Sequence, residues 1–470
     1  MIRVSLLSVA AVLAFAAGTA PSAFAKDGVY TSTTLGRNGD VTVQTTITNG
    51  RIADVKVLDW SETHPIADLP RVKVPADIVK NQSLGVDVVS GATLTSFAII
   101  SGVRDALKQA GLSPADFSKK IAPQPKLTDT VEESADIVII GAGGAGLSAA
   151  VTAAKAGKSV IVMEKTHYAG GNTSVAGGCY NAADPALEAK QEMSPQRRAS
   201  VDALLAEPVR SKLHGELIQK VKAQLAQYDA KGGKYLFDSV ELHALQSWKA
   251  GDYAGNLDLV YELAKGAPEM QKELAEMGFK WNSGTEQVVG ALWPRSNRAS
   301  NYKSGVGYID TFLNEIKTKH LPVTFIMNTA ASDILMKDGR AAGVIGTAEN
   351  GRTFKVLAKD GVILTTGGFG ANIDMRVKYD TIWDKKIGKG VMTTNVPSIT
   401  GDGIKMAQKV GANLIDMGYI QLLPTTDPYT GATNHAVSLT TGIYLNTDGK
   451  RFVNELGRRD ELARAALAQP

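Results

Sequence analysis

One stretch near residue 140 constrains the fold of this chain more than any other. Residues 135–140 (ADIVII) predict a short buried strand, residues 141–146 (GAGGAG) are a G-x-G-x-x-G turn, and Leu147–Ala156 predict a helix. A second strand is predicted over Ser159–Met163, and the acidic Glu164 ends it. Strand, glycine turn, helix, strand and terminal acid are the parts of a βαβ unit that binds a dinucleotide.

Each conserved part of such a unit has its own physical task. Gly141 makes the tight turn, Gly143 admits a pyrophosphate close to the backbone, and Gly146 lets the helix pack on the strand. Glu164 is placed to bind a ribose hydroxyl. A lone glycine motif is weak, but both strands and the acid are present here, so nucleotide binding is favoured over a glycine-rich turn without a ligand.

A second motif stands in a small region over residues 26–112. This region shows strand-like alternation in Asp40–Ile47 and Ile52–Leu58 and a predicted helix over Leu94–Ala110. Just before that helix the chain reads DVVSGATLTS at residues 87–96. The hydroxyls there suit either a helix N-cap or a phosphate held at a helix start.

The N-terminus has the pattern of an export signal. Arg3 precedes the apolar run Val4–Ala17, and an A-x-A sequence follows at Ala23–Ala25. This pattern predicts a cleaved signal peptide over residues 1–25, whereas an uncleaved anchor needs roughly 20 apolar residues. We therefore expect a periplasmic protein without stable membrane insertion after cleavage.

Composition excludes several kinds of site and partner. Lys and Arg number 51 against 47 Asp and Glu, a net charge of +4, so no nucleic-acid footprint is expected. Cys179 is the single cysteine, which excludes an intrachain disulfide, an iron–sulfur cluster and thioether attachment of haem. The 6 His are scattered without paired spacing, so no metal site is expected.

Further glycine-rich segments follow the βαβ unit in a characteristic order. Residues 170–178 read GGNTSVAGG, residues 360–370 (DGVILTTGGFG) predict a strand entering a second glycine turn, and residues 400–403 (TGDG) open a predicted helix over Ile404–Val410. Over roughly residues 135–467 this order resembles the fumarate reductase and succinate dehydrogenase flavoprotein superfamily, specifically its soluble flavocytochrome c type.

The resemblance implies an α/β fold with two flavin-binding parts. A small α+β FMN-binding domain would span residues 26–112, a linker 113–134, a Rossmann-like FAD-binding domain 135–418, and the start of a capping domain 419–470. FAD would be held non-covalently, because no His stands in the Gly-Gly-Asn region where covalent members carry their attachment residue. The implied FAD-binding residues are Gly141, Gly143, Gly146, Glu164, Gly171, Asn172, Thr173, Gly177, Gly178, Gly401 and Asp402.

The motif in the small region also has a family counterpart. Residues 87–93 look like the flavinylation motif D-x-x-S/T-G-A-T of FMN-binding domains. The resemblance implies FMN attached covalently to Thr93 through a phosphoester, as the point where electrons enter.

The implied catalytic residue lies near the end of the sequence. The segment GKRFVNE at residues 449–455, followed by Arg459 and Asp460, is similar to the family's catalytic segment. In that family the arginine protonates the substrate while FAD delivers hydride, and the resemblance therefore implies that Arg459 is the acid. The alternative interpretation is that Arg458 and Arg459 are simply two solvated side chains in the first turn of a helix. Because a guanidinium has a pKa above 12, it is a weak acid, and a relay residue must return a proton to it after each donation. His435 is either that relay or an ordinary loop histidine.

Departures from the fumarate pattern bear on the substrate. Fumarate reductases have a substrate-binding His in a Q-x-H-P sequence, but residues 421–424 read QLLP, which argues against a dicarboxylate. The loop after Gln421 and the segments 237–248 and 291–295 are more similar to the branch that reduces urocanate, an imidazole acrylate.

We therefore expect hydride transfer from FAD to the C=C bond of a small α,β-unsaturated carboxylate, with urocanate favoured. Alternatives are a fumarate-, methacrylate- or cinnamate-type reductase, a flavin dehydrogenase running in the opposite direction, and an FMN-carrying electron-transfer protein with an inactive FAD part. The electron donor is expected to be a membrane quinol-oxidising cytochrome. Family members continue to a second substrate His and Arg and a C-terminal glycine-rich segment without counterparts here, so the capping domain is expected to be incomplete.

Overall fold

The computed structural model describes residues 26–123, 125–288, 291–424, 426, 442–455 and 457–469. The predicted signal peptide lies outside them. The described residues divide into two compact units, one comprising residues up to Glu62 with Ala67–Pro123, the other comprising Thr63–Ile66 and the residues from 125 onwards. Across these described residues, no helix has both the length and the apolar character that a membrane span requires.

The first unit is a three-stranded antiparallel sheet packed against helices. Its elements are β1 (Gly28–Leu35), β2 (Asp40–Thr48), β3 (Arg51–Trp60), α1 (Asp68–Asn81), α2 (Thr93–Gln109) and a 3-10 helix (Pro114–Phe117). Alternation along β2 turns Val41, Val43 and Ile47 to the buried face. A Cβ on Gly102 would lie 2.9 Å from Val43, so this glycine permits the close approach of α2 to the sheet.

The predictions of β2, β3 and α2 are confirmed, and both ends of the linker expected over residues 113–134 lie in regular structure. Phe117 is buried, and its carbonyl accepts a hydrogen bond of 2.6 Å from the backbone N–H of Leu84. At the other end, β4 begins at Thr130 rather than Ala135. Apart from the half-buried Val131, its first five residues are polar and exposed, yet they pair in parallel with Thr353–Leu357, so backbone hydrogen bonds make them a strand.

The second unit is built on a six-stranded mixed sheet. Its elements are β4 (Thr130–Ile140), α3 (Gly144–Lys155), β5 (Val160–Met163), α4 (Gly171–Val175), β6 (Tyr180–Asn181), α5 (Pro185–Glu188), α6 (Pro195–Leu205), α7 (Lys212–Ala230), α8 (Val240–Ala250), α9 (Leu257–Glu276), β7 (Ser296–Asn297), α10 (Val306–Thr318), β8 (Val323–Ile326), β9 (Thr329–Lys337), β10 (Arg340–Ala348), β11 (Thr353–Leu364), α11 (Ile373–Tyr379), α12 (Asp402–Lys409) and α13 (Arg459–Leu467). The strand order is β8-β5-β4-β11-β10-β9. β8, β5, β4 and β11 are parallel, and β9 and β10 add an antiparallel edge. The predicted βαβ unit is therefore confirmed as β4-α3-β5.

The helices between β6 and β7 have a core of their own that contains buried charges. Asp238 and Arg295 form a bidentate pair, with Nε–Oδ2 and Nη2–Oδ1 distances of 2.8 Å, and their side chains are 0% and 6% exposed. Arg295 Nη2 also donates to Gln246 Oε1 at 2.6 Å. Glu188, with no exposed surface, faces the Asp238 carboxylate. Burial, followed by the charge of Asp238, raises the pKa of Glu188 far above its ordinary value, so Glu188 is protonated at neutral pH.

This protonation makes stability depend on pH. In the unfolded chain Glu188 ionises near 4.5, whereas the folded protein keeps the proton, so stability falls as pH rises above that value. Glu188 lowers the free energy of unfolding by up to about 1.4 kcal/mol for each pH unit of that rise. We expect Glu188→Gln to remove that part of the slope when unfolding is followed by tryptophan fluorescence between about pH 6 and pH 7. Glu262→Gln, which alters a solvent-exposed carboxylate paired with Lys265, should leave the slope unchanged; equal slopes in wild type and Glu188→Gln would contradict the assignment.

Candidate cofactor-binding site

The carboxyl ends of β4, β5 and β11 meet at a cleft. Its empty volume is about 870 Å³, open mouth included. Ligands of open parallel sheets bind at this edge. The cleft brings together seven of the predicted residues: Gly141, Gly143, Glu164, Gly171, Asn172, Thr173 and Asp402. Residues from three distant segments of the sequence therefore share one site.

The glycine turn leaves the start of α3 open to the cleft. Gly141 has φ +105°, and a Cβ there would lie 2.7 Å from the carbonyl oxygen of Thr365, so only glycine fits this turn. Gly143, the N-cap residue of α3, makes no side-chain cap, and Thr173 Oγ1 accepts from one backbone N–H of the first turn, that of Gly144. The helix N-terminus is therefore available for a pyrophosphate, which is the fit that FAD requires.

Glu164 is held rigidly where β5 ends. Its Oε2 accepts a hydrogen bond of 2.9 Å from Ala142 N, and its Oε1 accepts one of 2.8 Å from Thr166 N. The backbone N–H of Glu164 donates to the Ile326 carbonyl in the neighbouring strand β8 at 2.9 Å. A carboxylate oriented in this way at a strand end suits a ribose hydroxyl.

The loop with α4 closes one side of the cleft. Thr173 Oγ1 accepts from Gly144 N at 3.1 Å, which joins this loop to the first turn of α3. Asn172 Nδ2 donates to Asn395 Oδ1 at 2.6 Å, and its Oδ1 accepts from Val396 N at 3.0 Å. Asn172 thus joins the loop to a segment more than two hundred residues later.

Lys165 is a cleft residue that the sequence interpretation missed. Its Nζ lies 2.6 Å from Asp402 Oδ2 and 2.9 Å from Thr400 Oγ1. Burial by itself raises the pKa of Asp402, but the hydrogen bond and charge of Lys165 outweigh it and hold that pKa below its usual value. The only available signal was the position of Lys165 next to Glu164; its pairing with Asp402 depends on the tertiary fold.

Four predicted residues lie outside the lining of the cleft. Gly146 packs α3 on the glycine turn, and Gly401 has φ +78° at the start of α12. The carbonyl of Gly177 accepts from Arg298 Nη1, and that of Gly178 accepts from Tyr308 Oη, both at 2.8 Å. All four therefore support the walls of the cleft.

Thr93 is in the first unit, as the first residue of α2, and is exposed. No side chain caps α2, so the hydroxyls of the motif do not serve as its N-cap. Instead, Ser96 Oγ accepts from Val89 N at 3.1 Å and donates to the Ala92 carbonyl at 3.0 Å, which fixes the turn before the helix. The hydroxyl of Thr93 stands at an exposed helix start, where a phosphate group can be accommodated.

Arg459 is the first residue of α13 and is half-buried. Its neighbour Arg458 forms a bidentate pair with Asp252, with Nη–Oδ distances of 2.5 and 2.7 Å. The side chain of Arg458 is thus held in an ion pair. The second candidate, His435, lies outside the described residues. Within those residues, no group of three His, Cys, Asp or Glu could hold a metal.

Comparison with known proteins identifies both flavin-binding parts. The family model of the FAD binding domain matches residues 136–233 and 225–470, and that of the FMN-binding domain matches residues 36–108. The chain is 37% identical to the NADH:acrylate oxidoreductase of Vibrio harveyi, covering 93% of this chain and 45% of that protein. It is 32% identical to the urocanate reductase of Eggerthella lenta, covering 94% of this chain and 65% of that protein.

A solved structure supports the same assignment. The open conformation of a flavocytochrome c3 fumarate reductase superposes with a TM-score of 0.53 at 25% identity, covering 72% of this chain and 51% of that one. The chain thus spans 45%, 65% and 51% of the length of these three proteins. Together these matches show that the chain belongs to the fumarate reductase flavoprotein family, with an FAD-binding domain and an FMN-binding domain.

Proposed function

We propose that this protein is a periplasmic reductase that adds hydrogen to the C=C bond of a small α,β-unsaturated carboxylate, with urocanate as the first candidate substrate. The observation that carries the proposal is the cleft, which unites the glycine turn, Glu164 and Asp402 in a shape suited to FAD. The relatives are named for reduction of acrylate, urocanate and fumarate, which supports the substrate class.

FAD, when bound, supplies hydride chemistry at this site. The start of α3 holds its pyrophosphate, and Glu164 binds a ribose hydroxyl. Arg459 binds the substrate carboxylate or donates the proton that completes the reduction. His435 is the proposed relay that returns a proton to Arg459. Thr93 would hold FMN, which would supply the entry point for electrons, and we propose a membrane quinol-oxidising cytochrome as their source.

Acrylate is the second candidate substrate. The relative that is 37% identical is named an NADH:acrylate oxidoreductase. Acrylate and urocanate are both monocarboxylates, and residues 421–424 lack the histidine that the family uses for a second carboxylate. Fumarate, methacrylate and cinnamate reduction are the remaining alternatives, together with flavin dehydrogenation and a pure electron-carrier role.

Anaerobic reoxidation of the reduced flavoprotein tests the proposal. The full-length protein is reduced with dithionite and mixed in turn with urocanate, acrylate, fumarate, methacrylate and cinnamate, while flavin absorbance is recorded. Fast reoxidation by urocanate supports the first candidate, and reoxidation by acrylate alone supports the second. Reoxidation by fumarate alone, or by none of the five, would contradict the monocarboxylate proposal.

Covalent FMN is tested separately at Thr93. We expect Thr93→Ala to lose the mass increment of one FMN, because no hydroxyl remains to form the phosphoester. The measurement is intact mass together with flavin fluorescence of the denatured chain. Thr48→Ala removes an exposed hydroxyl of the same unit outside the motif and should keep the increment; loss of FMN in both variants, or in neither, would speak against Thr93.

A further inference from the structure

The buried cluster of Glu188, Asp238 and Arg295 lies directly next to β7. Arg295 immediately precedes Ser296, the first residue of that strand. Its guanidinium is held by both oxygens of Asp238 and by Gln246, so its side chain is fixed in the helical core. The start of β7 is therefore anchored by a buried, fully directed ion pair rather than by apolar contacts alone.

β7 is joined in turn to the segment that leaves the FAD cleft. It pairs with β6 through Tyr180↔Asn297 and Asn181↔Ser296. One residue beyond β7, Arg298 donates to the carbonyl of Gly177 at 2.8 Å, and Glu286 holds the guanidinium of Arg298. Each link is a hydrogen bond or ion pair of defined direction.

Two further contacts hold the same segment close to the cleft. Gly305 N donates to the Ala176 carbonyl at 2.9 Å, and Tyr308 Oη donates to the Gly178 carbonyl at 2.8 Å. A Cβ on Gly305 would overlap the carbonyl oxygen of Thr173, a residue of the cleft wall. A displacement of residues 295–305 would therefore move the loop that closes the cleft.

We propose that Glu188, Asp238 and Arg295 form a positioning device for FAD binding, in which the fully buried Glu188 stays neutral beside the Asp238–Arg295 pair and Arg295 transmits the arrangement through β7 and β6 to the glycine loop at residues 170–178. None of the three contacts the cleft, so they are positioning residues. The proposal rests on FAD binding and is independent of which carboxylate is reduced.

The charges around Glu188 determine how this device responds to protons. Both carboxyl oxygens of Glu188 are buried without a hydrogen-bond partner among the described residues, while Asp238 contributes a negative charge and Arg295 a positive one. His243 of α8 faces Asp238 and Arg295 and is neutral, because burial and then the charge of Arg295 lower its pKa to about 4. With Glu188 protonated, the cluster is electrically balanced. Loss of that proton would place a second anion beside Asp238 in competition for the same guanidinium.

The first test is the pH profile of FAD affinity, measured by flavin fluorescence on FAD-stripped full-length protein. We expect the affinity of the wild type to fall between about pH 7 and about pH 9, and that of Glu188→Gln, which keeps a neutral side chain of the same shape, to stay constant over this range. Asp229→Asn is the matched control, because it breaks an exposed bidentate pair with Arg198 in α6 and α7. Parallel profiles in wild type and Glu188→Gln would overturn the role of the Glu188 proton in FAD binding.

The second test uses the ability of Glu188 to replace Asp238. In Asp238→Asn, Glu188 can ionise and pair with Arg295, so FAD affinity should fall only slightly. In Glu188→Gln/Asp238→Asn no carboxylate remains for Arg295, and affinity should fall at least about tenfold. A folded double variant with wild-type affinity would overturn the positioning role.

If the double variant fails to fold, Arg298→Gln tests the transmission to the glycine loop instead, because it alters a partly exposed residue. It removes the bond to the Gly177 carbonyl and leaves the buried cluster intact. Lower FAD affinity supports transmission through β7, and unchanged affinity overturns it. Failure of every substrate in the reoxidation experiment would leave these affinity results unaffected, so the two proposals are distinguishable.

Discussion

Gly146→Ala is expected to abolish FAD binding and to lower the free energy of unfolding by about 3 kcal/mol. A Cβ at this position would overlap the carbonyl oxygen of Gly141 and lie 2.8 Å from Thr365 Oγ1. Neither neighbour can yield easily, since one is backbone and Thr365 Oγ1 is held 2.9 Å from the carbonyl oxygens of Ile140 and Gly141. The helix α3 would have to shift away from β4, and its N-terminus would leave the pyrophosphate position.

The measurements are FAD content after gel filtration and denaturant-induced unfolding. Gly266→Ala is the matched control, because Gly266 lies inside α9 with no heavy atom within 4 Å of the added Cβ. There alanine should stabilise the protein by up to about 1 kcal/mol through its higher helix propensity. A Gly146→Ala protein that retains FAD at wild-type stability would show that α3 adjusts without cost, contrary to the close packing described above.

Arg459→Ala is expected to lower kcat for the accepted substrate by a factor of about 10² to 10⁴, the usual contribution of a positioned acid. Arg459→Lys should recover little of the loss, because an ammonium group cannot reproduce the bidentate geometry of a guanidinium. The loss should appear with the flavin spectrum unchanged, since Arg459 does not belong to the lining of the FAD cleft.

The measurement is steady-state reduction with an artificial electron donor, together with the FAD spectrum of each variant. Arg464→Gln is the control on the same helix, where Arg464 lies over the ring of Trp383 at 4.9 Å. That variant should retain turnover. Full turnover by Arg459→Ala would remove Arg459 from the mechanism and leave only its role at the start of α13.

Local patterns predicted the parts of the fold that depend on neighbouring residues. The glycines at 141, 143 and 146 identified the turn, where a Cβ would clash at 141 and 146, and the structure confirms β4-α3-β5 around it. The alternation in β2 and the apolar spacing in α2 also predicted their elements, because each pattern marks the one face that is buried. α1 was missed: it contains Pro75 and is only weakly amphipathic, so its pattern does not stand out from a loop.

Contacts between distant residues were not predictable in this way. Lys165 and Asp402 are 237 residues apart, and neither neighbourhood indicates the other. Glu188 is in a four-residue helix whose sequence, PALE, gives no sign that its acid is fully buried. Its protonation depends on Asp238 and Arg295, which approach only when α5, α8 and β7 pack together.

The sequence by itself determined the family, the two flavin-binding parts and the position of the nucleotide turn, because these depend on glycines and strand–helix periods that act over a few residues. The tertiary structure alone decided which residues line the cleft, which glycines support its walls, and which carboxyl group keeps its proton. Those properties depend on burial and on charges brought together from distant segments. A pattern of neighbouring residues along the chain therefore does not predict them.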